Sequence, residues 1–392
     1  MSFKQVKLGD IFDIARGGSP RPIDDYITDD ADGLNWISIK DASNSSKYIF
    51  KTEKKIKKEG LSKSRYVEPD DFLLTNSMSF GRPYIMKTSG CIHDGWLVLK
   101  ADKSKVDIDF FYHLLSSDFI YRKFTGLAAG AVVKNLNTEL VRSVEVPLPP
   151  LEEQRRIASI LDKADAIRQK RQQAIVKLDE LLQATFIDMF GDESNDYKGI
   201  DKVNLLDKVD FLTGFAFKSN DFKSSGIKLC RGINVLTGYL DWNSTAYWDS
   251  SEHDKFKKFE LKKDDIVIAM DRPWISSGFK ISMIGEEDKD ILLVQRVARL
   301  RSKESSYSNF IYHLLDSHNF KNHCNVTETT IPHISPTDFK TFLIPDASQS
   351  QILKFDKFAK AVRAQKQAMR ISLEKSNDFF NSLQQKAFNG TL

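Results

Sequence analysis

The sequence predicts an α+β fold in which two tandem α/β domains are separated by a long antiparallel two-helix coiled coil. Three observations carry this. Two long, proline-free, charge-dense stretches lie at residues 151–190 and 348–392. The blocks before them, 1–150 and 191–347, mix short β-like runs with turns. The first half of the chain is echoed in the second, so duplication is the organising feature.

The echo is seen element by element. "VKLGDIFDIARGGSP" at Val6 returns as "VNLLDKVDFLTGFAF" at Val203. "EPDDFLLTNSMSFGRPY" from Glu68 returns as "LKKDDIVIAMDRPW" from Leu261, and "FYHLLSSDF" from Phe111 as "IYHLLDSHNF" from Ile311. Strand-like runs in the first block include "YIMKTSG" and "GWLVLKA", and in the second "DIVIAMD" and "LLVQRVARLR". A short helix near the end of each block is expected at the "YHLL" segment. Few residues are shared, so duplication of a fold is a safer inference than duplication of detailed chemistry.

The first long helix begins after Pro149 and Pro150, with Glu152 and Glu153 in the first turn, where the helix dipole favours anions, and Gly191 follows its end. The second starts at Ser348, which has capping-box spacing to Gln351, and Gly390 closes it. Steps of three and four give the second helix a seam of Ile352, Phe355, Ala359, Val362, Lys366, Met369, Leu373, Ser376, Phe380, Leu383 and Ala387. The first offers Ile157, Ile160, Ala164, Ile167, Arg171, Ala174, Leu178, Leu181 and Thr185, widened by Leu161, Ile175 and Leu182. The offset that lays Ile157 on Ile352 also lays Arg171 on Lys366, as a register-setting polar pair would. The first helix is close to neutral, and the second has eight Lys/Arg against three Asp/Glu. Each helix leaves its own block and ends toward the other half, so antiparallel pairing of the two apolar stripes is the simpler geometry.

Composition narrows the class. The chain has 392 residues, 41% apolar and 29% charged, with no apolar run near the ~20 residues that span a bilayer. The N-terminus lacks a signal-peptide pattern, and Cys91, Cys230 and Cys324 are scattered, which fits a reducing cytoplasm. A net charge of +4 does not by itself mark a nucleic-acid binder. Locally, "KTEKKIKKEGLSKSR" places seven Lys/Arg against two Glu, and Lys54, Lys55, Lys57, Lys58 and Arg65 are candidates for tracking phosphates, the alternative being a solvated surface loop.

"PLPPLEEQRRIASILDKADAIRQKR", "LLQATFIDMFG" and the terminal "SLQQKAFNGTL" resemble the helical regions of type I restriction-modification specificity subunits. The resemblance covers the whole chain as target-recognition domain, long helix, second target-recognition domain and second helix. The second helix departs from it, with "IPDASQSQ" where the first has "PLPPLEEQ". The resemblance implies double-stranded DNA with a bipartite site as ligand, each recognition domain reading one half and the helices setting the spacer. It also implies two methyltransferase subunits docked on the helices, and restriction subunits joining them. S-adenosylmethionine, ATP and Mg are expected on those partners, with no cofactor on this chain and no membrane association.

No catalytic motif stands against that expectation. The sequence has no N-P-P-[YF] or D-P-P-[YF] tetrapeptide, no phosphate-binding G-x-x-x-x-G-K-[ST] and no glycine-rich cofactor loop; "GLAAGA" at Gly126 lacks the spacing. His313, His318, His323 and Cys324 are separated by steps that do not share a helix face, so a structural role is expected for them and no metal site. Base readout uses Arg to guanine and Asn or Gln to adenine, with Lys and Ser on phosphates. The first half offers Arg21, Asn76, Ser77, Ser79, Arg82, Tyr84, His93, Asp94 and Trp96 for this. The second offers Arg231, Asn234, Asp271, Arg272, Trp274, Gln295 and Arg296, although Gln295 sits in a run that alternates like a strand and is equally a structural residue or a base reader on sequence alone. The alternatives to a type I role are a specificity subunit of a type IIB or phase-variable methylation system, and a coiled-coil scaffold that never touches DNA.

Overall fold

In the computed structural model, which describes residues 3–43, 45, 47–76, 81–128, 136–192, 194, 196–324 and 332–392, the fold is α+β and the chain divides into two compact units. Unit 1 is Met1–Gln172 with Ile371–Leu392, and unit 2 is Gln173–Arg370. The boundaries at 150, 190 and 347 suggested by the sequence are not where the units part, because each block has taken half of each long helix. Among the described residues, no helix is long and apolar enough to cross a membrane.

Unit 1 is built on a five-stranded sheet in the order Phe12–Arg16, Trp96–Ala101, Phe72–Thr75, Pro83–Met86, Tyr48–Ile49. Phe72–Thr75 is buried throughout, because the sheet is covered on both faces. Phe72 and Leu74 face the helical core with Phe110, Phe111 and Leu114. Leu73 points the other way, into a second cluster with Ile37, Val67, Tyr84, Met86 and Trp96. A second five-stranded sheet runs Ile27–Thr28, Lys54–Ile56, Leu34–Ile37, Gly90–Ile92, Arg65–Val67.

Unit 2 repeats the plan with a four-stranded sheet, Val209–Thr213, Val297–Ser302, Ile266–Ala269, Ile281–Met283, and a three-stranded one, Ala246–Trp248, Ile227–Cys230, Ile291–Leu293. Ile266 and Ile268 face the helical core, and Val267 and Ala269 the second cluster. The run "LLVQRVARLR" is therefore not one strand. Residues 291–293 belong to one sheet and 297–302 to the other, with a turn between them.

The central helix, Leu151–Phe190, and the terminal helix, Gln349–Asn389, carry the expected ends. Gly191 and Gly390 adopt φ +78° and +75°, which glycine tolerates best. The Ser348 N–H donates to Gln351 Oε1 at 3.2 Å, and the Gln351 N–H donates to Ser348 Oγ at 3.4 Å. Gln154, fully buried in the first turns of the central helix, accepts from the Asp107 N–H at 2.8 Å and donates to Lys105 O and Pro149 O at 2.8 and 2.9 Å. That saturates an amide whose burial would otherwise be costly.

In unit 1, Ile157, Leu161 and Ala164 share a core with Phe380, Leu383, Ala387 and Phe388. In unit 2, Leu182, Phe186 and Phe190 share one with Ile352, Phe355 and Ala359. The early part of one helix thus meets the late part of the other, and the helices are antiparallel. On the terminal helix every seam position from Ile352 through Val362, Lys366, Met369 and Leu373 to Leu383 is buried or half-buried. Arg171 Nη1 donates to Ser372 O at 3.1 Å, and Lys366 is ion-paired with Asp179.

The central seam needs a correction. Ile167 is half exposed, and Arg168 takes its place over the Phe380 ring at 4.2 Å. Ile160 is only half-buried beside the fully buried Leu161. Covered positions run 157, 161, 164, 168, 171, 175, 178, 182, Leu178 among them. Neighbouring apolar residues left two registers open, and the arginine stem can line a seam while its charge lies on a ring face.

Candidate nucleic-acid interface

At one end of the main sheet, both units close the strands with the same backbone hydrogen bonds. In unit 1, Gly17 N–H donates to Trp96 O at 2.9 Å and Gly18 N–H to Ile92 O at 3.2 Å. In unit 2, Gly214 N–H donates to Val297 O and Phe215 N–H to Leu293 O, both at 3.1 Å. Asn76 N–H to Gly95 O and Leu136 N–H to Asn76 O are matched by Met270 N–H to Arg296 O and Ile334 N–H to Met270 O. The close approach requires glycine at two positions. A Cβ on Gly17 would lie 2.0 Å from His93 O, and one on Gly214 2.2 Å from Val294 O. This frame aligns residues 93–95 with 294–296, and Gly18 with Phe215.

In unit 1 the frame gathers three loops around Asp94. Ser19 Oγ donates to its carboxylate at 3.0 Å and Arg21 Nη2 at 3.3 Å. Arg16 Nε and Asn76 Nδ2 donate to its backbone oxygen at 3.0 and 2.7 Å. Partial burial works against the Asp94 charge, but Ser19, its own backbone and Arg21 hold the carboxyl below the usual range. Burial lowers the His93 imidazole pKa, so the ring is neutral at pH 7. Its Nδ1 accepts from the Gly95 N–H at 2.9 Å, which leaves the proton on Nε2 as a donor. Arg21 and Arg82 are exposed, Arg82 over the Tyr84 ring at 5.2 Å.

In unit 2 the corresponding hub is Asp271. His333 Nδ1 lies 2.7 Å from its carboxylate and Arg296 Nε 3.6 Å. Arg272 and Arg296 are exposed and adopt φ +46° and +66°, a region that side chains other than glycine enter at some cost. Gln295, between Val294 and Arg296, is exposed in the turn that interrupts the expected strand.

Several expected contacts are corrected by burial. Trp96 and Tyr84 are core residues at 0% and 2% exposure, Trp96 donating through Nε1 to Ile37 O at 3.2 Å. Asn76 and Asn234 are also buried: Asn234 accepts from the Arg231 N–H and donates to Asp241 O, clipping a turn. Arg231 itself donates to Ser244 O and lies over Phe222. Trp274 is half-buried and stacks on Phe279 at 4.9 Å. The basic stretch is partly tied down by residues 25–32. Lys58 pairs with Asp32 at 2.8 Å, Lys57 Nζ donates to Asp25 O at 2.8 Å, and Lys55 Nζ to Ala31 O at 3.0 Å. Lys54 and Arg65 are exposed on strands. Ser77 and Ser79 lie outside the described residues.

The histidines have structural surroundings. His313 packs between the Phe186 and Phe355 rings, where burial pushes its pKa down to about 3. His323 Nε2 lies 3.0 Å from both Asp338 O and Thr341 Oγ1. Sequence reasoning left Phe215, Arg16 and His333 out. Phe215 was within reach, since the repeat lays "GF" of the second half on "GG" of the first.

Residues 2–177 match a family model described as the type I restriction modification DNA specificity domain. The chain is 26% identical over 332 residues to the type I restriction enzyme MjaVIII specificity subunit of Methanocaldococcus jannaschii, covering 81% of this chain and 75% of that one. It is 35% identical over 143 residues to the type I restriction enzyme EcoAI specificity subunit of Escherichia coli, 36% of this chain and 24% of that one. Its fold is similar to the crystal structure of a type I restriction-modification S subunit from M. genitalium, with a TM-score of 0.57 at 15% identity over 98% of this chain and 96% of that one. The first part of the chain is thus similar to the type I restriction modification DNA specificity domain, and most of its length is similar to a type I restriction enzyme specificity subunit.

Proposed function

We propose that this chain is the non-catalytic DNA-reading subunit of its complex, each unit taking one half of a bipartite site in double-stranded DNA. The observation that carries the reading is the paired sheet end. One backbone frame occurs twice and presents Arg16, Arg21, His93 and Asp94 in one unit and Phe215, Arg272, Gln295 and Arg296 in the other. A fixed frame with different exposed side chains is what reading two different half-sites requires. The helices set the spacer between the half-sites, and their exposed faces dock two methyltransferase subunits, with restriction subunits joining the assembly. S-adenosylmethionine serves the methyltransferases, and ATP and Mg the restriction subunits, in a cytoplasmic complex.

Methylome sequencing of a host carrying the gene with its methyltransferase partner tests this. A bipartite motif with a fixed spacer is expected. Lengthening both helices by about four residues adds ~6 Å of rod and should shift the preferred spacer by ~1–2 bp. An unchanged spacer removes the ruler role, and absence of any motif removes DNA reading.

A further inference from the structure

The frame makes one pair of side chains in unit 2 stand out. Phe215 takes the place that Gly18 holds in unit 1, and it is 40% exposed although Phe217, Phe256 and Phe259 pack against it at 5.0, 5.0 and 5.5 Å. Those three rings support the Phe215 ring from the protein side and leave the rest of it toward solvent. The Gln295 N–H donates to Phe215 O at 2.8 Å, so the two residues are held as neighbours. The Gln295 side chain is exposed, and among the described residues its amide has no hydrogen-bond partner. The turn that presents it is maintained at the cost of a left-handed Arg296, fixed through its carbonyl by Met270 N–H and through its guanidinium by Asp271. Unit 1 has an acceptor-only carboxylate in the frame position of Gln295, and that carboxylate is already occupied by Ser19 and Arg21.

We propose that unit 2 reads an A·T base pair in the major groove, with Gln295 pairing to the adenine edge and Phe215 packing on the thymine methyl. A primary amide carries one acceptor and one donor spaced for adenine N6 and N7, and an apolar ring is the natural contact for the C5 methyl. The adjacent arginines, Arg272 and Arg296, supply positive charge for the flanking phosphates. The assignment rests on the DNA-reading role proposed above.

The test uses the chain in complex with its methyltransferase partner and the motif found by methylome sequencing. Binding is measured on duplexes in which each thymine of either half-site is replaced by deoxyuridine, or each adenine by 7-deazaadenine. In the wild-type complex, deoxyuridine at one position should weaken binding about four-fold, the worth of one buried methyl group. Loss of N7 on the same base pair should weaken it too. Phe215→Ala should abolish the deoxyuridine effect, and Gln295→Ala should lower discrimination at that base pair about ten-fold or more while leaving the other half-site intact. Insensitivity of the wild type to both modified bases at every A·T pair overturns the assignment, and this arm needs no variant to fold. Uniform weakening across all sequences in either variant also overturns it. Absence of any bipartite motif refutes the underlying DNA-reading role and the assignment with it.

Discussion

Units 1 and 2 share a frame and differ in what fastens it. Both have an aspartate at a left-handed turn, Asp70 and Asp264, followed by an aspartate that caps the turn, Asp71 and Asp265. In unit 2 Asp265 is buried and accepts two bonds of 2.7 Å from Arg301. In unit 1 Asp71 has Lys100 at 3.7 Å, and burial raises its pKa. The same backbone is thus held by a bidentate pair on a buried carboxylate in one unit and a loose pair in the other. The difference teaches that the duplicated part lies in main-chain bonds, which many sequences can supply, while side-chain fastening has diverged.

The comparison can be broken at three places. Asp265→Ala removes both carboxylate bonds to the half-buried Arg301 and should cost unit 2 about 2–3 kcal/mol, whereas Asp71→Ala should cost unit 1 about 1–2 kcal/mol. Unfolding followed by hydrogen exchange in each unit separates the two, and equal losses would show that the fastening has not diverged. Gly17→Ala and Gly214→Ala push a Cβ into a backbone carbonyl and should each cost about 1–3 kcal/mol. Each should abolish recognition of its own half-site only, read as methylation of substrates carrying one altered half. Loss of both halves from a single variant would mean that the frames do not act independently.

The smallest effect concerns how unit 1 grips the central helix. Asp162 on that helix is 2.8 Å from His113 Nε2 and 3.2 Å from Lys47 Nζ, and Lys47 also pairs with Asp109 at 2.7 Å. The bond to His113, opposed by partial burial and aided by Lys47, lowers the Asp162 pKa. A lowered folded-state pKa stabilises above the unfolded value of about 3.9 and is lost as pH falls through the folded one. Asp162→Asn should therefore cost under about 1 kcal/mol at pH 7, since the carboxylate is half exposed, and the gap to wild type should close below about pH 4. Unit 2 grips its helix through Asn309 and Asp356 instead, at 2.7 Å. A gap that persists unchanged at low pH would show that the Asp162 contact contributes no charge-dependent stability.

The duplication, the two helices and their ends were legible because they are written in repetition, apolar period and capping residues. The terminal seam was legible for the same reason. The central one was not, since Ile160 and Leu161 are both apolar and an arginine fills a seam position. At the interface, residue type pointed to Arg21, Arg82, Arg272 and Arg296, all of which are exposed. It misjudged Asn76, Tyr84, Trp96 and Asn234, because a polar or aromatic residue beside a loop can equally well be turned inward to close the loop. Lys55, Lys57 and Lys58 looked free because their partners, at residues 25–32, are distant in sequence. Gln295 stayed open between a strand residue and a base reader, because the break in its alternating run depends on a left-handed arginine, a conformation no pattern announces. The "PLPPLEEQ" entry and the capping box that replaces it in the second half become two solutions to starting a helix, one with a buried amide and one with a serine.

The parting of the units at Gln172/Gln173 and Arg370/Ile371 has a consequence for synthesis. Unit 2 is a contiguous stretch of chain and can close as soon as residue 370 has left the ribosome. Unit 1 begins first yet stays open until Phe380, Ala387 and Phe388 arrive to fill its core. Its apolar floor is left uncovered for the whole time unit 2 is being made, a window in which aggregation or a chaperone competes for it. A ribosome that stops near residue 370 would release one finished unit and one that never closes.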